Sequence, residues 1–331
     1  MCRTVPGGSA VRSGARPLLV TGLPRSGTSW VGKMLEASGQ VVYVNEPLNP
    51  QHPPGRSPGV LDAEVIHRFQ YICPDNDQQW ARAFADTIRL RYHVVAELRR
   101  NHGPYDLARM AKYFTTFTSG RLRGRRALID DPFAVLSARW FAERLQADVV
   151  VLVREPVSLV GSWWRLGWKF DLQDLLGQPL LRRDLLAQYE SEMRDLLRSP
   201  DRLAQIALLW RTTYDAVSRM QHEVPGLRVI RYEDLSREPV ERFRLLYDAF
   251  GLTWTPRIAE RVAAATSGTG RTDRSHAWTL RYGLSRTAFR PMDSQAALRS
   301  YEERLTPAEI SRVRALTSDV ARRLYPDEPY A

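Results

Sequence analysis

The heptapeptide Pro24-Arg25-Ser26-Gly27-Thr28-Ser29-Trp30 follows the apolar run Leu18-Leu19-Val20 and gathers a guanidinium, hydroxyls and a glycine in one short loop. That combination suits the capture of an anion. A helix beginning near Thr28 presents backbone N–H groups without intrahelical partners, together with the positive end of its dipole. Gly22 and Gly27 let the backbone approach a phosphate, Arg25 adds a fixed cation, and Ser26, Thr28 and Ser29 supply donors. The two glycines match the spacing of the nucleotide-hydrolase loop G-x-x-x-x-G-K-[ST], with Ser29 in the hydroxyl slot. Thr28 occupies the lysine slot, however, and the cation lies earlier, at Arg25. This departure counts against a magnesium-dependent ATPase or GTPase. It points to a loop that holds a 5′-phosphate without metal help.

The elements that must position this loop are apolar strands at 17–22, 40–45, 126–130, 148–153 and 227–231. Helical patterns lie between them at 28–38, about 134–145, 157–165 and 238–250. Residues 61–120 read as mostly helical, helices dominate from the fourth strand to about 222, and the tail from 251 reads as loop-rich with a last helix at about 307–323. Alternating strands and helices predict an α/β fold of three layers: a mainly parallel central sheet flanked by helices, with a P-loop-like phosphate-binding loop. Ligands of such sheets bind at the carboxyl ends of the strands. Polar clusters stand at those ends: Asn45-Glu46-Pro47, Asp130-Asp131-Pro132, Arg154-Glu155-Pro156 and Tyr232-Glu233-Asp234. One shared site is the economical reading. The expected organisation is a disordered leader at 1–15 and a single domain at 16–331, with helical insertions at about 50–125 and 163–222.

The 331 residues carry a net charge of +11, which suits anionic partners such as nucleotides, sulfated or phosphorylated substrates, nucleic acid or acidic membranes. Among 48 basic residues only Lys33, Lys112 and Lys169 are lysines, a bias that a genome rich in G and C also produces. Two cysteines make neither a disulfide framework nor a metal cluster. The six histidines lack HxxxH or HExxH spacing, so zinc or iron catalysis is disfavoured and no metal is expected. No apolar run is long enough to span a bilayer, and the first residues lack a signal core. A cytoplasmic protein without stable membrane insertion is the expectation.

Three separated motifs resemble the sulfotransferases that use 3′-phosphoadenosine 5′-phosphosulfate (PAPS). Residues 24–30 look like the family's 5′-phosphosulfate loop. Val149 to Arg154, with Ser162 eight residues on, looks like its 3′-phosphate motif, and Val229-Ile230-Arg231-Tyr232-Glu233-Asp234-Leu235 looks like its third strand. The resemblance in order and spacing covers about residues 17–252. It implies that Ser26, Gly27, Thr28 and Ser29 hold the 5′-phosphosulfate and that Arg25 bridges the leaving phosphate and the sulfuryl oxygens. Arg154 and Ser162 would bind the 3′-phosphate, while Trp30 and Tyr232 would border the adenine. Trp30 as plain core, and Tyr232 as a strand-end residue bonded locally, are the alternatives.

Sulfuryl transfer asks an acceptor hydroxyl to lose its proton as it attacks, which a carboxylate or imidazole in reach can accept. Glu46, in Glu46-Pro47 at the end of the second strand, looks like the placement of the base in carbohydrate and tyrosylprotein sulfotransferases. The cytosolic branch instead has a His two residues before a Pro, where this chain has Asp130 before Pro132. Asp130 is thus either a second catalytic carboxylate or a cap for the helix at 134–145. The segment Ser267-Gly268-Thr269-Gly270-Arg271-Thr272-Asp273-Arg274-Ser275 falls where the family closes a loop over the 3′-phosphate, so Arg271 and Arg274 are candidate contacts or solvated surface arginines.

Aromatic residues between the motifs (Phe69, Tyr71, Trp80, Trp163 and Trp168 among them) would either wall an acceptor site or fill core. The acceptor is expected to be a carbohydrate, a glycosylated hydroxyl or another small molecule, with PAPS as co-substrate and PAP as product. A P-loop kinase-like phosphotransferase is disfavoured by Thr28. A non-catalytic polyanion or nucleic-acid binder has only the charge in its favour, with no accompanying recognition motif.

Overall fold

The computed structural model describes residues 16–50, 61, 63–100, 103–266 and 304–327. Five short strands, β1 (Leu18–Gly22), β2 (Val41–Asn45), β3 (Arg126–Asp130), β4 (Asp148–Val153) and β5 (Leu227–Arg231), form one parallel sheet in the order β2-β3-β1-β4-β5. Strand alternation divides the core between the two faces of the sheet. Leu18, Val20, Leu128, Val150 and Leu152 pack with Trp30, Val31, Phe243 and Val262 on one side. Leu19, Ile129, Val149, Val151 and Val153 pack with Phe141, Leu208 and Val320 on the other. Both faces are therefore covered, which is why the strands read as continuous apolar runs.

The helices are α1 (Thr28–Glu36), α2 (Gln78–Ile88), α3 (Val94–Arg100), α4 (Pro104–Leu122), α5 (Ala138–Arg144), α6 (Pro156–Arg165), α7 (Gln173–Leu176), α8 (Pro179–Leu181), α9 (Glu190–Leu197), α10 (Arg202–Glu223), α11 (Tyr232–Arg237), α12 (Pro239–Ala249), α13 (Pro256–Thr266) and α14 (Pro307–Leu324). The three-layer parallel architecture is the one expected from the sequence.

Three local readings change. The helix expected at 134–145 is a 3-10 segment, Pro132–Ser137, followed by α5. Its cap is Asp131, whose Oδ1 accepts from the Phe133 amide at 2.9 Å, so the capping role open to Asp130 belongs to its neighbour. The tail from 251 has its expected last helix, α14, but also contains α13, where Ile258, Val262 and Ala265 bury one helical stripe. A short helix, α11, also starts directly at Tyr232. The leader at 1–15, with Arg271 and Arg274, lies outside the described residues.

Candidate active site

The phosphate-type loop is a strained turn held from three sides. Gly22 has φ +144°, and a Cβ there would stand 2.3 Å from the Leu152 carbonyl oxygen, so only glycine fits where β1 passes β4. Arg25 itself adopts a left-handed φ of +80°, a conformation that persists in a non-glycine residue only when its surroundings enforce it. Those surroundings are visible. Trp163 Nε1 donates to the Pro24 carbonyl at 2.8 Å, and the Leu23 amide donates to Tyr214 Oη at 3.2 Å. The Tyr214 hydroxyl in turn donates to the Leu152 carbonyl at 2.9 Å. Gly27, with φ +100°, caps α1 and leaves no room for a side chain, because a Cβ would lie 2.8 Å from the Tyr232 ring. The first turn of α1 contains no acidic side chain, so the helix end keeps its full positive character.

Four of the expected cofactor residues meet around this turn. Arg25 Nε donates to Ser162 Oγ at 3.3 Å. Arg154 Nη1 donates to the Arg25 carbonyl at 2.9 Å, and the Arg154 guanidinium lies over the Tyr232 ring, 4.6 Å from its centroid. Burial, and then the nearby guanidinium groups of Arg154 and Arg165, hold the Arg25 pKa below its ordinary value. This local excess of positive charge favours an anionic ligand.

Sequence reasoning missed several residues that fix the geometry. Ser158, one helical turn after Arg154, accepts from Arg154 Nε at 2.9 Å. Trp210 Nε1 donates to the Arg154 carbonyl at 2.8 Å. Arg165, at the end of α6, and Arg304 bring further positive charge near Arg25. The spacing of Arg154 to Ser158 could have been read as one turn of helix; the long-range contacts from α10 had no local signal.

Trp30 is buried, edge-on to Tyr232 with centroids 5.9 Å apart and to Phe243 at 5.3 Å. Its Nε1 is buried with no hydrogen-bond partner among the described residues. Thr28 is buried and Ser29 half-buried at the start of α1.

On the other side of β1 the two carboxylates expected to be catalytic separate by depth. Glu46 takes a left-handed φ of +43° just past β2, and its amide donates to the Asp130 carbonyl at 2.8 Å. Its Oε2 accepts from Asn49 Nδ2 at 2.6 Å, while burial raises its pKa. Asp130 is fully buried on the α1 face of the sheet, hydrogen-bonded by the Tyr43 hydroxyl, with Gly32 of α1 packed against it. Burial pushes its pKa up to about 7, with the Tyr43 hydroxyl and, more weakly, Thr28 acting in the opposite direction and the Glu46 charge adding to the rise.

Asp130 has a consequence for stability. The folded state holds its proton more tightly than the unfolded chain, so its contribution is fully present below 3.8 and is lost as pH rises through about 7. Asp130→Asn removes that titration. The Tm of the variant minus that of the parent should therefore rise across this window, by roughly 1–2 °C for each kcal/mol involved. A difference that stays flat with pH contradicts the burial argument.

Among the described residues no helix is long and apolar enough to cross a membrane, and no group of three or more His, Cys, Asp or Glu is arranged to hold a metal ion. No curated protein is similar enough to count as a match. Solved structures similar to the chain include the sulfotransferase domain of the Synechococcus olefin synthase, 18% identical over 96% of this chain and 98% of that one, with a TM-score of 0.43. The sulfotransferase domain from the curacin biosynthetic pathway is 14% identical over 92% of this chain and 98% of that one, with a TM-score of 0.45. A mouse sulfotransferase complexed with PAP is 10% identical over 93% and 84%, with a TM-score of 0.43. The sequence model of the sulfotransferase family matches residues 17–256, which takes in β1 to β5 and every polar cluster at their carboxyl ends. This chain belongs to the sulfotransferase family.

Proposed function

We propose that the protein transfers the sulfuryl group of PAPS to a hydroxyl of a carbohydrate, a glycosylated compound or another small molecule. The observation that carries this reading is the convergence of Arg25, Ser162, Arg154 and Tyr232 on the loop at the start of α1. One part of that cluster is a helix N-terminus suited to a 5′-phosphosulfate. Another is an arginine held in place by bonds from Nε and Nη1 to the protein, a preorganised cation for a second phosphate. Two phosphate-type subsites beside a buried indole donor suit a nucleotide phosphorylated at both ends. Thr28, Ser29 and the α1 amides would hold the phosphosulfate, and Arg154 with Ser162 the 3′-phosphate. Trp30 and Tyr232 would flank the base.

As the acceptor oxygen approaches sulfur and the S–O bond to the 5′-phosphate breaks, charge collects on the peripheral and leaving oxygens, and by analogy with phosphoryl transfer the protein's work is alignment and charge stabilisation. Arg25 stands where that charge grows. Glu46 is the base in this reading. Its raised pKa brings it nearer to neutrality, where proton acceptance is most effective. Asp130, sealed beneath α1, serves instead by fixing Tyr43 and the Thr28 end of the helix.

A thermal-shift series that compares PAP with a chelator present against ATP with magnesium and no chelator tests the ligand class. PAP should stabilise the protein, by about 2.7 kcal/mol at a hundredfold excess over Kd, and adenosine 5′-monophosphate should do so less. Stronger stabilisation by ATP with magnesium supports the kinase-like alternative. Equal, steeply salt-dependent stabilisation by any polyanion supports the non-catalytic binder.

A further inference from the structure

Behind Arg154 the fold buries two neighbouring carboxylates that the transfer reaction does not use. Glu233, directly after Tyr232, accepts from the Glu155 amide at 3.0 Å through Oε1. Through Oε2 it accepts from the Tyr325 hydroxyl at 2.9 Å. Glu155 in turn caps α6, accepting from the Ser158 amide at 2.6 Å, and Ser158 Oγ is the group that orients Arg154 Nε. A continuous chain therefore runs from Tyr325 through Glu233 and the Glu155 corner to the guanidinium of Arg154.

Burying two carboxylates side by side is costly unless donors and cations compensate. Burial pushes Glu155 up to about 7 and raises Glu233 as well, the latter opposed first by the backbone amides of Glu155 and of Glu233 itself and then by Arg154 and the Tyr325 hydroxyl. Beyond the backbone amides, the side chains that compensate are Arg154 on one side and Tyr325 on the other.

Tyr325 is itself fixed. It follows α14, its amide donates to the Ala321 carbonyl at 2.7 Å, and its ring lies under the Arg231 guanidinium at 5.1 Å. Arg231 Nε holds the Leu324 carbonyl at 2.7 Å. Helix α14 is tied to α10 by the Arg323–Asp215 and Arg211–Asp319 ion pairs, and α10 holds the Arg154 carbonyl through Trp210.

We propose that Tyr325 is a positioning residue that acts through Glu233 to align Arg154, so that the carboxyl-terminal segment sets the preference for a 3′-phosphorylated nucleotide. This rests on the assignment of Arg154 to the 3′-phosphate given above. Loss of the tyrosine hydroxyl leaves Glu233 short of a donor and weakens its hold on the corner that carries Arg154. Trp30 and the α1 amides, which would hold the adenine and the 5′-phosphosulfate, meet this chain of contacts only at its end, where Arg154 touches the Arg25 carbonyl and the Tyr232 ring.

The test is competitive binding of PAP and adenosine 5′-monophosphate, which lacks the 3′-phosphate, to the full-length protein and to Arg154→Ala, Tyr325→Phe, Glu233→Gln and the Tyr325→Phe/Glu233→Gln double variant. Tyr325→Phe should lower the preference for PAP by about tenfold, the scale of a hydrogen bond to a charged group, with affinity for the monophosphate changed far less. The double variant should lose little more than either single one, because both break the same link. If Arg154→Ala leaves the preference for PAP intact, the 3′-phosphate assignment itself fails. If Arg154→Ala removes the preference but Tyr325→Phe keeps it, or weakens both nucleotides equally, the positioning role alone is overturned. Should Tyr325→Phe fold poorly, Glu233→Gln gives a second readout: its amide oxygen can still accept from Glu155, while the NH2 in place of Oε2 can no longer accept from Tyr325 and the carboxylate charge is gone.

Discussion

Arg25→Ala is expected to lower kcat/KM on the order of 10³-fold, the scale of losing one preorganised donor at a developing anion. The effect should fall mainly on kcat. Arg25 sits in a left-handed turn pinned by Trp163 and Tyr214, with Ser162 as its hydrogen-bond partner. Removing its side chain leaves those backbone anchors and the α1 amides in place, so the ground-state affinity for PAP should change far less than turnover. Arg25→Lys should recover only part of the loss, because a point charge cannot reproduce the planar fork. Steady-state kinetics with PAPS, beside PAP binding by calorimetry, separates the two effects. Equal losses in kcat and in PAP affinity contradict a transition-state role for Arg25.

Glu46→Gln is expected to lower kcat by about 10²- to 10⁴-fold, the range of a general base, with PAP affinity and the KM for PAPS unchanged. The amide keeps the size of the carboxylate and an oxygen able to accept from Asn49, so the loop after β2 should stay folded. The pH dependence sharpens the test. A base must be deprotonated to act, so kcat should fall on the acid side. Burial moves that limb above the ordinary carboxylate value of 4.5. The variant should lack the limb altogether. Normal turnover by Glu46→Gln, or an unchanged acid limb, removes Glu46 from the base role and returns attention to Asp130.

Much of the candidate site is legible because its parts lie on strand ends. Residues 24–30, 154–162 and 229–235 are far apart in the chain, yet β4 lies between β1 and β5, so their carboxyl ends meet. A strand ending in a polar cluster is a local pattern, and local patterns can be read. The order of the strands is not local. It follows from which apolar faces pack, and the partners it brings in, such as Trp210, Tyr214 and Tyr325, carry no signal of their own beyond being aromatic. The pair Asp130 and Asp131 shows the finer limit. One step along a strand reverses the face, so Asp130 enters the layer beneath α1 while Asp131 turns to cap the next segment. The sequence placed both at a strand end but could not assign the face without the register of β3 against β1 and β2. The Pro256–Thr266 helix was a different miss, since its apolar spacing is regular and was hidden only by the loop-rich composition around it.

The most direct measurement is the fate of the sulfuryl group when the purified protein is incubated with sulfur-labelled PAPS and a panel of carbohydrate and other hydroxyl acceptors. Mass spectrometry and nucleotide chromatography are read together. The expected result is a product carrying one labelled sulfuryl group on oxygen, formed in equal amount to PAP and nearly abolished in Arg25→Ala. A protein that binds PAPS yet forms no labelled product with any acceptor, or that instead transfers phosphate from ATP, contradicts sulfuryl transfer to a hydroxyl at this site.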